Sequence, residues 1–168
     1  MLSKKEKQQS WGESMARAAE IFEDMKDWRG AFKCLSAAAR FNHNSSQLNL
    51  GNLYASGRGA RKNLGLAEYW YKRAYKGGNL AAAYNLALDK KRQGDVDAAI
   101  SWLKKAAARR DGSSYLALAE MYSKKVGGIK KAVDLLQQAL EFNSEEIFDD
   151  DREKVESLLR KLQRGRKM

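Results

Sequence analysis

The 168-residue chain contains no proline, one cysteine and one histidine. Without proline the strongest helix breaker is missing, and the turns must be made by other residues. A single cysteine, Cys34, excludes an internal disulfide framework. A single histidine, His43, with no second cysteine leaves no thiolate–imidazole set for a zinc ion. No run approaches the roughly 20 apolar residues of a membrane-spanning helix, so no membrane role is expected. The opening residues, MLSKKEKQQSWGES, carry charge but no apolar core, and do not read as a secretory signal. These absences lead us to expect a soluble, cytoplasmic protein that uses no cofactor and no metal.

What is present favours helix. Hydrophobic residues make up 43% of the chain, enough for a core. Alanine, leucine, lysine, glutamate and arginine dominate, all of them good helix formers. Lysine and arginine number 32 against 21 acidic residues, a formal charge of +11. Such a surface attracts acidic proteins, nucleic acids or anionic lipids, and by itself does not choose among them.

The chain repeats itself. AFKCLSAA from Ala31, AEYWYKRA from Ala67, AISWLKKA from Ala99 and AVDLLQQA from Ala132 share one pattern, Ala-x-x-large-large-x-x-Ala. Their starts are 36, 32 and 33 residues apart. Before each lies a second pattern, an apolar residue followed by a small one: Ala18-Ala19, Leu50-Gly51, Leu86-Ala87 and Leu118-Ala119. In three of the four an aromatic follows: Phe22, Tyr54 and Tyr122. The unit is therefore a pair of helices, A then B, present four times. Small residues let the two backbones approach, and one pair alone cannot bury its apolar face, so the pairs must stack.

The spacing within the pairs sets the turns. Leu50 to Ala67 is 17 residues, whereas the same interval is 13, 13 and 14 in the others. The second repeat thus carries a long A-to-B turn, ASGRGARKN, in which Gly57 and Gly59 supply left-handed backbone. A phosphate-cradling loop is not supported, because no strand precedes it and the GxxxxGK[ST] spacing is missing. After the fourth repeat, Asp150 and Glu153 give an N-cap pattern for a helix carrying Val155, Leu158, Leu159 and Leu162 on one face. The expected organisation is a flexible N-terminus over 1–10, repeats at about 11–43, 44–79, 80–111 and 112–144, and a capping helix with a basic tail over 145–168.

Residues 48–79, LNLGNLYASGRGARKNLGLAEYWYKRAYKGGN, resemble the Sel-1-like repeat family. The matching residues are Asn49-Leu50-Gly51, Tyr54, Gly57 and Gly59, Ala67, Trp70-Tyr71, Ala74 and Gly77. The other three repeats have shorter turns and are closer to the related tetratricopeptide repeat. In the third, Lys90 replaces the aromatic of helix A. The resemblance spans about residues 12 to 144. It implies an all-α, α/α superhelix (solenoid) of about four helix-turn-helix repeats with a concave face lined by A helices. It also implies protein or peptide binding, as in scaffolds and adaptors. Asn49, Asn52, Asn85 and Glu120 are the candidate contacts on that face. Asn52 and Asn85 match the two asparagines of the tetratricopeptide carboxylate clamp. Its cations are missing, because Leu48, Ser113 and Ala117 stand in their places, so a simpler hydrogen-bonding role is expected.

Positive charge gathers in the A-to-B turns: Arg58, Arg61 and Lys62, then Lys90, Lys91 and Arg92, then Lys124, Lys125, Lys130 and Lys131. Stacking predicts a basic ridge, which is either a solvated face neutralised by Asp89, Asp95 and Asp97 or a docking edge for an acidic partner. A second cluster, Lys72, Arg73, Lys76, Lys104, Lys105, Arg109 and Arg110, lies on and after the B helices. Nucleic acid ranks behind protein as the partner, since the aromatics fall on packing positions.

No catalytic set emerges. His43 sits in the connection FNHNSS and is expected to be an exposed loop residue. Cys34 falls in a column expected to be buried, without a base beside it. The acidic run Glu145, Glu146 and Asp149 to Asp151 reads as a cap and solvated turn. The chain is therefore expected to be a non-catalytic protein-binding scaffold. The alternatives are a bacterial immunity protein that neutralises a cognate toxin, and a nucleic-acid binder acting through the ridge.

Overall fold

The computed structural model describes residues 3–141 and 149–165. Among the described residues are nine helices and no strand. The chain divides into two compact units, Met1–Leu86 and Ala87–Met168, and the division falls inside a helix.

The N-terminal unit is built from α1 (Lys4–Asp24), α2 (Trp28–Arg40), α3 (Asn44–Ser56), α4 (Leu64–Lys76) and the first half of α5 (Ala81–Arg92). α1 and α2 form the first A–B pair, and α3 and α4 the second. Ala31, Leu35 and Ala38 on α2, and Ala67, Tyr71 and Ala74 on α4, are buried throughout. Leu35 and Ala39 of α2 pack with Ala19 of α1 and with Leu50 and Leu53 of α3. Each A helix therefore meets a B helix through its small residues.

The C-terminal unit holds the rest of α5, then α6 (Val96–Ala107), α7 (Gly112–Ser123), α8 (Ile129–Leu140) and α9 (Asp149–Gly165). The same columns recur in it: Ala99, Leu103 and Ala106, then Ala132, Leu136 and Ala139, all buried. Val155 of α9 is buried against Leu116, Ala119, Ala132, Leu136 and Ala139, with Leu158, Leu159 and Leu162 beside it. α9 thus covers α7 and α8, as its pattern predicts. Asp151 strengthens the attachment, accepting a 2.7 Å hydrogen bond from the Ser113 hydroxyl of α7. Burial pushes the Asp151 carboxyl up, but hydrogen bonds from Lys154 and Ser113 and the Lys154 charge hold it below its ordinary value.

Four expectations are corrected. Residues 1–10 were expected to be flexible, yet α1 begins at Lys4. Ser3 and Glu6 form a reciprocal capping box that satisfies the first amides. This holds Glu6 below the usual carboxylate range, chiefly through the Ser3 backbone N–H. Asp150 is not an N-cap but lies in the first turn of α9, with Asp149 and Asp151. Cys34 is half-buried rather than buried, as are Trp70, Trp102 and Leu135 in the same column. The column lies about 60° around the helix from the line through the two alanines, at the edge of the packed stripe. His43 is not an exposed loop residue but the N-cap of α3: its Nδ1 accepts from the Ser46 amide at 3.3 Å. Glu145, Glu146 and the tail beyond Gly165 lie outside the described residues.

Candidate partner-binding face

α3, α4 and α5 build a polar cluster in the N-terminal unit. Gly51 faces the ring of Tyr71, and a Cβ there would lie 2.6 Å from two ring carbons. This close seat carries the Tyr71 hydroxyl across to α3, where it donates to Asn52 Oδ1 at 2.9 Å. Asn85 Nδ2 of α5 donates to the same oxygen, also at 2.9 Å. Two donors on one oxygen fix the amide of Asn52, which is exposed, and Asn85 beside it is half-buried. The amide N–H groups of Asn52 make no other hydrogen bond among the described residues. Asn49, one turn earlier on α3, is half-buried. In the C-terminal unit Glu120 is exposed on α7. The structure thus brings Asn52 and Asn85 together through a direct hydrogen bond. Ser113, at a clamp cation's place, is engaged with Asp151.

The long turn of the second repeat folds back on α2. Gly57 and Gly59 take the left-handed backbone expected, with φ of 77° and 70°. A side chain on Gly59 would collide with the backbone carbonyl of Trp28. Arg58 lies over the Trp28 ring, its guanidinium carbon 4.7 Å from the centroid. Arg61 and Lys62 are exposed and form no ion pair among the described residues.

In the C-terminal unit some of the turn cations have local partners. Arg92 meets Asp89 at 3.2 Å, and Lys125 approaches Asp97 at 3.9 Å. Asp95 caps α6 instead of pairing with a cation. Lys90 is half-buried, while Lys91 and Lys124 are exposed. Lys104 and Lys131 converge on Tyr122, Lys131 standing 4.5 Å from its ring centroid. Burial pushes the Tyr122 hydroxyl up, but hydrogen bonds from Lys131 and Lys104 bring it below its ordinary value. Of the second cluster, Lys72 pairs with Glu68 at 2.7 Å, Arg73 donates to Asn42 at 2.7 Å, and Lys105 stands 4.0 Å over Trp102.

No protein-family model matches the chain. No curated protein matches it either. Solved structures do. A Sel1 repeat protein from Oxalobacter formigenes is 25% identical with a TM-score of 0.67, over 77% of this chain and 58% of that one. The chain has the helical-repeat fold of Sel1 repeat proteins. The Sel-1-like chain also resembles c5321, a protective antigen of uropathogenic Escherichia coli strains displaying an SLR fold. That match is 17% identical with a TM-score of 0.57, over 80% of this chain and 38% of that one. MamA protein is 20% identical with a TM-score of 0.55, over 77% of this chain and 72% of MamA. The Sel-1-like chain therefore spans little more than half the length of the Oxalobacter protein. Its class is the all-α solenoid class expected from the repeats. Repeat scaffolds of this kind generally serve protein–protein interaction. No helix of the described residues is long and apolar enough to cross a membrane, and no group of three or more His, Cys, Asp or Glu side chains there could hold a metal ion.

Proposed function

We propose that the protein is a non-catalytic adaptor that holds an extended, acidic segment of another protein on the α3–α5 side of its N-terminal unit. The observation that carries this reading is the fixed amide of Asn52. Its oxygen is engaged by Tyr71 and Asn85, so its N–H groups are aimed without further loss of side-chain freedom at an outside acceptor. A backbone carbonyl of an extended segment is such an acceptor. Arg61 and Lys62, exposed on the long turn of the same repeat, favour acidic residues in that segment and raise the rate of encounter. Lys91, Lys124 and Glu120 of the C-terminal unit are further candidate contacts. A cytoplasmic location belongs to the same reading.

Affinity capture at low and high salt, with mass spectrometry of what is retained, tests it. The expected result is a protein partner whose affinity falls about tenfold on Asn52→Ala and again on Arg61→Glu with Lys62→Glu. A partner indifferent to all three changes overturns the site. Recovery of RNA or DNA with a steep salt dependence replaces the protein reading by a nucleic-acid one. A single toxin, bound one-to-one, narrows the adaptor to an immunity protein.

A further inference from the structure

The A helices of the N-terminal unit differ in what covers them. α3 buries Leu50 and Leu53 against Leu35 and Ala39 of α2, the B helix before it, and turns Gly51 toward Tyr71 of α4, its own B helix. Leu53 is 4% exposed. In α1 the equivalents of Leu50, Gly51 and Leu53 are Ala18, Ala19 and Ile21. Ala19 is buried with the α2 residues, as the pattern requires. Ile21, on the face that in α3 meets the preceding B helix, is 61% exposed, and Met25 one turn on is 70% exposed. Ser14, Ala18, Ile21 and Met25 fall at alternating four- and three-residue steps. That is the spacing of a seam between two paired helices. Ser14 and Ala18 are small enough for a second helix to approach closely.

The charges beside this seam select its occupant. Arg17 and Asp24 are both exposed on one edge of it, seven residues apart, with Ile21 between them. Neither has an ion pair among the described residues. Asp24 stands instead among like charges: burial, Glu20 and Asp24 together raise the Glu23 carboxyl. A second copy of α1 laid antiparallel, with its two-fold axis near Ala18 and Ile21, sets each Arg17 against Asp24 of the other copy. A parallel copy would set like against like. Isologous contact of this kind needs a patch that complements itself under a two-fold rotation.

We propose that this face of α1 is the interface of a two-fold symmetric homodimer, with α1 of one copy packed antiparallel on α1 of the other. About this axis the two copies overlap from Ser14 to Met25, a seam about 17 Å long.

Sedimentation equilibrium of the full chain at about 150 mM salt tests the proposal. The expected mass is twice the 19.0 kDa of the chain. Ile21→Glu should return it to the monomer with an unchanged circular-dichroism melt. Arg17→Asp alone and Asp24→Arg alone should each weaken association about tenfold, since each change acts twice across the axis. The double exchange, Arg17→Asp with Asp24→Arg, should restore it. A monomer at all concentrations up to about 100 µM overturns the proposal. So does a dimer unmoved by Ile21→Glu, or an exchange that fails to restore association.

Discussion

Gly51 shows how much depends on single small residues in a repeat of this kind. It has no side chain because the Tyr71 ring occupies that space, and the ring in turn carries the hydroxyl that holds Asn52. Adding one methyl must displace either α4 or the ring. Gly51→Ala is expected to lower stability by about 1–3 kcal/mol, even though alanine is the better helix former by about 1 kcal/mol. A urea melt checks it: a midpoint equal to or above that of the parent would show that the contact has room. The two asparagines were legible in the sequence, because they stand where the tetratricopeptide clamp has its two asparagines. Their mutual hydrogen bond was not, since it depends on α3 and α5 lying side by side. His43 was misread for a related reason. Histidine is a rare cap, and only the α3 start places its Nδ1 against the Ser46 amide.

At the scale of the element, the alanine columns were fully readable. Positions one, five and eight of each B segment lie on one line of a helix, and in all four repeats they are buried. The turns were only half readable. Gly57 and Gly59 announced left-handed backbone, but Lys26, Asn42 and Arg110 adopt it too, with φ of 58°, 60° and 63°. Nothing in a lysine or arginine signals this, for the conformation is imposed by the helices on either side. A side chain with a Cβ costs about 1–2 kcal/mol there. Lys26→Gly is therefore expected to raise stability by about 0.5–1 kcal/mol, part of the relief being offset by the greater freedom of glycine in the unfolded chain. Thermal unfolding of the variant checks this, and a lowered midpoint would mean that Lys26 makes a contact worth more than the strain. The start of α1 was missed because its first residues lack an apolar stripe. The Ser3–Glu6 spacing was nevertheless the right signal.

For the molecule as a whole, the charge of +11 says less about binding than the setting of each cation within its own unit. Within the C-terminal unit Arg92 and Lys125 meet Asp89 and Asp97, and Lys104 and Lys131 gather on Tyr122. Within the N-terminal unit Arg58 is spent on Trp28, while Arg61 and Lys62, on the turn that follows α3, stay exposed. The proposed function accordingly rests on the α3–α5 side of one unit, with its fixed amide and the exposed cations of the long turn, rather than on net charge. Its most direct test is an NMR titration that follows the side-chain amide signals of Asn52 and Asn85 as the captured partner's acidic segment is added. The account predicts that both move in proportion to occupancy, with the Arg61 and Lys62 backbone signals moving alongside. Saturation of the protein with those signals unmoved, and shifts confined to other helices, would contradict it.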